Sequence, residues 1–484
     1  MDNAKKIIKK IAKYALAFQL LTSPYIHTET DLLDKISSLI EEATTIETGL
    51  EYTNVPIVTS KSPKLKKEKD WTLILYISAD NDLRNFAIRN IKQMATIGSN
   101  ENLNIVVHLD IKSTGNKKVT RRYYIEKNRI LHVNANDPSS QRMDSGNPET
   151  LISCCKWAID GFPAKHYGLI LWNHGTGAID PKRGRIIKLT DFFTFNPETN
   201  KVDLDRSIDF LDFISSQKME DRGICWDDTT GNYLTNQDLD YALSIIYSKI
   251  LGRKLDFIGF DACLMQMIEV ANIVKKYTNI MIGSQEVILG TGWNYIETLK
   301  PFIDGTLTAE EFATHIVESY RKTYGKITND FTLSALRLNY LDLLENNIDK
   351  TSQALIYCLK KQKNKSVKKA IASSRNKLVC THFDEPSFVD LHHLYSNLQK
   401  TLKRMKLTNT EDEKKYLKLL ERLLTEGRNL IEKITLANVV GKNLSKAKGI
   451  SIYFPTRRIY YSYRKLKFSL EHDWILFLTQ YLNV

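Results

Sequence analysis

Leu169-Ile-Leu-Trp-Asn-His174-Gly175 and Phe257-Ile-Gly-Phe-Asp261-Ala-Cys263-Leu-Met265 decide how this chain is read. Each is a short apolar run of strand character that stops at one reactive side chain, a histidine in the first and a cysteine in the second. Similar runs alternate with helical patterns from Trp71 onward. The patterning predicts strands over 71–79, 105–109, 166–172, 255–260 and 280–284 and a hairpin over 121–133. Helices are predicted over 148–160, 236–251, 264–277 and 309–324. Such alternation indicates βαβ units and a mostly parallel sheet, the α/β class. Functional groups of open α/β sheets collect beyond the carboxyl ends of the strands, where His174 and Cys263 both fall. Taken alone, a strand-end histidine is commonly a structural hydrogen-bonder and a cysteine after a buried strand a small core residue. Together, in equivalent places, they suggest a thiol nucleophile and an imidazole that moves its proton, the chemistry of a cysteine hydrolase.

The neighbours of the pair extend this reading. Gly175 and Gly177 let a peptide approach the backbone, and the Gly175 N–H could join the Cys263 N–H in holding a developing oxyanion. A helix starting at Met265 would put Cys263 at its N-terminus, where the dipole favours thiolate. Asp80-Asn-Asp-Leu83 follows the first strand, and Asp82 or Asn85 is expected to cap the helix behind it.

The chain has 484 residues, 42% hydrophobic and 26% charged, enough for a large core and two to three domains. Its six cysteines (Cys154, Cys155, Cys225, Cys263, Cys358 and Cys380) lack CxxC or zinc spacing, so free thiols are expected and no metal site is assigned. The net charge of +13 is spread over the N-terminal segment, residues 61–69 and the C-terminal third, without a nucleic-acid module, and no nucleic-acid partner is expected. Residues 1–27 combine Lys5, Lys6, Lys9, Lys10 and Lys13 with an apolar run to Leu21. They read as a signal or leader segment, with an amphipathic helix as the other reading. A signal makes the protein secreted or part of the cell envelope; otherwise it is cytoplasmic. No membrane span is expected. Residues 28–69 are polar and read as a pro-segment or linker.

Asp261-Ala-Cys-Leu-Met265 with Ile268-Glu-Val270, Trp172-Asn-His-Gly175, and Ser284-Gln-Glu286 leading into Gly292-Trp-Asn-Tyr295 resemble the clostripain family of cysteine peptidases. That family shares the caspase-like fold with gingipains, legumain, caspases and separase. Supporting matches are residues 71–83, Asp227-Asp-Thr-Thr-Gly231, Phe388-Val-Asp-Leu391 and Gly449-Ile-Ser-Ile-Tyr-Phe-Pro455, so the resemblance runs from about residue 70 to the C-terminus. It implies a caspase-like α/β/α sandwich over residues 70–340, followed by a mainly helical subdomain over 341–484 with a returning strand at 450–454. His174 is then the catalytic histidine, acting chiefly on the leaving amine, and Cys263 the nucleophile. Family members cleave after arginine or lysine, which calls for an acid in the P1 pocket. Asp261 matches the motif aspartate and Glu286 is a second pocket candidate, with Gln285 and Val287 as the lining of a less basic-selective pocket instead. For Asp261 the other reading is a carboxylate tied to backbone amides at the strand end.

Relatives are activated by self-cleavage between the two catalytic residues into heavy and light chains that stay together. A polar insertion over 178–222 supplies candidate P1 positions: Lys182, Arg183, Arg185, Lys188, Lys218 and Arg222. A solvated basic loop is the plainer reading. The partners expected are peptide or protein substrates with basic P1 residues. No cofactor is required; calcium, used by some relatives, stays open as a structural or activating ion. The turn at Asp227-Asp228 lacks EF-hand spacing, and Thr235 with Asp238 reads as a helix cap. Tyr460, Tyr461 and Tyr463 among Arg457, Arg458, Arg464 and Lys465 read as a packed aromatic face with solvated cations. The competing functions are a catalytically silent caspase-like interaction module and a basic adaptor working through its C-terminal helices.

Overall fold

The computed structural model describes residues 55–63, 67–112, 117–179, 193–196, 198–206, 223–361, 366–404 and 411–483. Its strands, in chain order, are β1 (Ile57–Thr59), β2 (Lys69–Ala79), β3 (Leu103–Lys112), β4 (Lys118–Glu126), β5 (Arg129–His132), β6 (Ala164–Trp172), β7 (Phe193–Asn196) and β8 (Lys201–Leu204). There follow β9 (Ile224–Asp227), β10 (Asn232–Leu234), β11 (Leu255–Asp261), β12 (Thr278–Gly283), β13 (Thr332–Arg337), β14 (Phe388–Asp390), β15 (Thr435–Val440) and β16 (Ser451–Tyr453).

Ten of these strands form one sheet in the order β1-β5-β4-β3-β2-β6-β11-β12-β13-β15. Its centre, β3-β2-β6-β11-β12, is parallel throughout, and antiparallel strands extend it on both sides. The central strands are buried on both faces, as their unbroken apolar runs require: Trp71, Leu73, Ile74, Leu75, Leu169, Ile170, Phe257 and Ile258 have no exposed surface. Trp71 packs with Phe257, Phe302 and Phe312 at ring-centroid distances of 5.8, 6.5 and 5.4 Å. This matches the expected α/β class with a mostly parallel central sheet.

Most predicted elements have counterparts within a few residues. Helices cover Arg84–Ile97, Pro148–Gly161, Asn236–Ile245 and Ala309–Ile327, the second capped by Asn147 and the third by the expected Thr235/Asp238 capping box. The hairpin turns at Asn128, which has φ of 57°. Two expectations are corrected. The helix after Cys263 covers only Ile268–Val274, because residues 264–267 bind neighbouring loops: Leu264 N donates to Glu286 O and Gln266 N to Ser284 O. Part of the supposed linker, β1, joins the sheet edge beside β5, whereas residues 1–54 lie outside the described residues. The strand expected near residue 450 is present as β16, in a two-stranded sheet with β14, and β15 adds an unexpected strand to the main sheet beside β13.

The C-terminal part is built from helices Leu341–Lys361, Ser366–Arg375, Leu391–Arg404 and Glu411–Ile434, with Leu394, Leu398, Leu402, Leu420 and Leu424 buried between them. Tyr463 is buried and bonds Glu269, while Tyr461 is exposed. None of the six cysteines forms a disulfide, and all are buried. Among the described residues no helix is long and apolar enough to cross a membrane.

Candidate functional site

Register brings the two reactive side chains together. β6 and β11 are parallel neighbours with Trp172 opposite Asp261, and Asn173 N donates to Asp261 O at 3.3 Å. His174 and Cys263 each come two residues after that pair, so both emerge at the same edge of the sheet. Gly175 completes the approach: a Cβ there would fall 2.5 Å from the Cys263 carbonyl oxygen, so no larger residue lets the histidine loop lie on the cysteine loop. Both side chains line one cavity with Leu83, Trp172, Phe193 and the 287–290 loop.

His174 has a partner that sequence reasoning missed. Asp82 does not cap the helix Arg84–Ile97, which has no side-chain cap; its Oδ1 lies 2.7 Å from His174 Nε2. Asn85 does not cap it either. An ionised carboxylate can only accept, so the ring N–H that faces Asp82 is on Nε2. Trp226 stacks on the imidazole at 5.0 Å and 30°. The chain thus fixes the histidine by an acid from the β2 loop and an indole from β9.

Cys263 Sγ accepts from Ile288 N at 3.2 Å and faces Ile288 O at 3.5 Å. Burial pushes its thiol pKa up, the Ile288 amide opposes this, and the charges of Asp384, Glu286 and Asp261 add to the rise. The expectation of a helix-stabilised thiolate is therefore corrected. The helix begins at Ile268, with Leu264 at φ of 62° breaking the path, and the dipole acts only within its first turn. Burial thus favours the thiol over the thiolate at this position.

Asp261 lies in the lining of the same cavity and is 3% exposed. Its Oδ2 accepts from Trp293 N at 2.9 Å and from the Tyr295 hydroxyl at 3.0 Å, whereas buried Oδ1 has no hydrogen-bond partner among the described residues. Gly292, at φ of 62°, lets the loop close on it: a Cβ there would sit 2.6 Å from Oδ2. Burial raises the Asp261 pKa to about 7 against the pull of those two donors. One carboxylate oxygen is thus tied to the strand-end loop, as the plainer reading of this residue expects.

Glu286 is placed differently. It is not among the residues lining the Cys263 cavity; Val287 is, and Gln285 instead bonds Asp390. The Glu286 carboxylate accepts the amides of Val287 and Asp384 and pairs with Arg206. The self-cleavage candidates Lys182, Arg183, Arg185, Lys188, Lys218 and Arg222 lie outside the described residues. Asp227 does not fit calcium. Its Oδ1 accepts from Thr229 N and Thr230 N, and its Oδ2 is engaged by Lys118 and Ser145 N. Among the described residues no cluster of three or more histidines, cysteines or acids is arranged to hold a metal ion.

Comparison with known proteins bears on the family and the fold. The sequence profile of the clostripain family matches residues 75–204 and 211–481. Clostripain of Hathewaya histolytica is 27% identical over 260 residues, which are 49% of this chain and 43% of that protein. The chain therefore aligns with less than half the length of that relative. Among solved structures, a secreted C11 cysteine protease of Bacteroides thetaiotaomicron in complex with an irreversible peptide inhibitor superposes with a TM-score of 0.52 at 18% identity, over 84% of this chain and 99% of the other. A second structure of a secreted C11 cysteine protease from the same organism, iotapain, gives a TM-score of 0.51 at 15% identity, again over 84% and 99%. At these identities the two structures bear on the fold, which they share with this chain.

Proposed function

The chain belongs to the clostripain family of cysteine peptidases, and from that premise we propose that it is an endopeptidase cleaving after arginine or lysine, with Cys263 as nucleophile and His174 as its proton-transfer partner. The observation that carries the basic preference is Asp261, a buried acid among the residues lining the Cys263 cavity, whose Oδ1 has no hydrogen-bond partner among the described residues. A P1 guanidinium or ammonium supplies the missing donor and the opposite charge. Cys263 attacks the carbonyl carbon as its thiol proton passes to His174, which delivers that proton to the departing amine as the C–N bond breaks and the thioester remains. Water then hydrolyses the thioester, restoring the thiol. The N–H groups of Gly175 and Cys263, on the two adjoining loops, are the proposed oxyanion donors.

Paired peptide reporters with arginine, lysine, citrulline or norleucine at P1 test this directly. Turnover of the first two alone is expected; equal turnover of all four would remove Asp261 as the selector, and none at all would favour a silent interaction module. Asp82 acts as a positioning residue, so Asp82→Asn is expected to lower kcat by about tenfold, roughly 1.4 kcal/mol, with KM unchanged. A rise in KM alone would place Asp82 in substrate binding instead.

Self-cleavage within residues 178–222 is part of the proposal, and the fold explains why two chains would stay together. The cut falls between β6 and β11, neighbouring strands of the same sheet, and Lys118 with Asp110 holds Asp227 from the other side of the insertion. The two fragments are expected to co-elute in size exclusion and to part only in denaturant; separation without denaturant would contradict this. The secreted state of the structural relatives makes export the favoured fate of this chain, with the leader over residues 1–27.

A further inference from the structure

Arg206 closes the described part of the insertion, directly after β8, and its guanidinium sits between two buried acids. It lies 2.8 Å from Glu286 Oε2 and 3.1 Å from Asp330 Oδ1. The Glu286 side chain is fully buried and that of Asp330 4% exposed, while the Arg206 side chain keeps 36% of its surface in solvent. A guanidinium therefore enters this site from outside. The remaining carboxylate oxygens have their own donors, Val287 N and Asp384 N for Glu286 and Asn443 Nδ2 for Asp330, so the two facing oxygens are left for one cation.

Two carboxylates sharing a buried position without a cation repel each other and must take up a proton. The site thus calls for a cation, which the guanidinium of Arg206 supplies, but not for Arg206 in particular. The backbone joins this acid pair to the Cys263 loop: Glu286 O accepts from Leu264 N at 3.2 Å, and Ile288 N, two residues on, donates to Cys263 Sγ. The hairpin that carries Arg206 places Phe193 in the lining of the Cys263 cavity, and Lys201 ties that hairpin to Gly325 O and Asn329 Oδ1.

We propose that Glu286 and Asp330 form a second guanidinium subsite, separate from Asp261, held in the uncut chain by Arg206 and taken over by a basic substrate side chain flanking the scissile bond once the insertion is cut. This rests on the reading of the chain as a self-processing peptidase. The specificity of such an enzyme then involves two basic side chains of the substrate, one at each acid site.

Binding can be read without catalysis. In the uncut Cys263→Ala chain, calorimetry compares N-acetyl-arginine amide with its citrulline counterpart, with and without Arg206→Ala. Arg206→Ala is expected to tighten arginine amide binding by about tenfold or to add a second equivalent, and Asp330→Asn is expected to abolish that gain. No gain, or an equal gain for the citrulline amide, would overturn the subsite. Should the Arg206 variant fail to fold, the processed parent decides: with arginine fixed at P1, a second arginine is walked from P4 to P2′ against citrulline. One position is expected to favour arginine by about tenfold in kcat/KM, and a flat profile overturns the proposal. If no basic-P1 peptide is turned over at all, the P1 reading fails while the binding arm still settles the subsite.

Discussion

Cys263→Ala is expected to leave the chain in one piece after incubation and to lose turnover of arginine reporters by a factor on the order of 10⁵ to 10⁶ in kcat. The size of the effect follows from the proposed role, since nothing else lining the cavity is a nucleophile of comparable strength: His174 is held by Asp82, and Asp261 is tied by Trp293 and Tyr295. The substitution is structurally mild. It removes one sulfur from a cavity wall and one acceptor from the Ile288 amide, a cost of about 1 kcal/mol against a core of this size. Intact mass reads both outcomes at once. A parent that yields two fragments beside an unprocessed variant supports self-cleavage by Cys263. Fragments from the variant would assign the cut to another protease, and residual turnover would assign the nucleophile elsewhere. Because the resting thiol is pushed up by burial, labelling by a small alkylating agent is expected to be slow in the absence of substrate.

The parts of this site legible in the sequence are those that follow from strand ends. His174 and Cys263 announce themselves because an apolar run buried on both faces stops at each, and parallel neighbours with equal offsets bring the stops together. Asp82 was legible only as an acid after the first strand. Its bond to His174 spans 92 residues, and a local capping rule competed for the same side chain. The Arg206 contact with Glu286 is of the same kind, decided by tertiary approach. β15 was hidden for a different reason: of Thr435-Leu-Ala-Asn-Val-Val440 only Val439 is buried, so neither an alternating nor a continuous apolar run marks the strand. The error over the Cys263 environment arose from a helix start placed too early. Apolar residues 264–267 look like a first turn, but their backbone groups bond the loops of Ser284, Glu286 and Ser451.

The second large effect is expected from Asp261→Asn, which should reduce the preference for arginine over citrulline at P1 by roughly 10- to 100-fold, the worth of a charge-assisted hydrogen bond in a buried setting. The pH dependence separates this from any general damage. With its pKa at about 7 in the free protein, Asp261 is largely protonated at pH 5 and largely ionised at pH 8. A cationic P1 side chain favours the ionised form, so the arginine-to-citrulline ratio in kcat/KM should rise as pH increases through 7 and then level off. In the asparagine variant the ratio should be flat. Stability moves in the opposite sense. A carboxyl with a folded-state pKa of about 7, raised from 3.8, binds more protons folded than unfolded between those values, so its contribution to stability falls as pH rises through that window. Asparagine keeps an acceptor for Trp293 N and the Tyr295 hydroxyl without the buried charge, and the variant should melt higher than the parent at pH 8 and level with it near pH 3. A protein that loses its basic preference while gaining stability cannot have lost it by misfolding. A lower Tm at pH 8, or an arginine preference that survives, would move the selector for P1 away from Asp261.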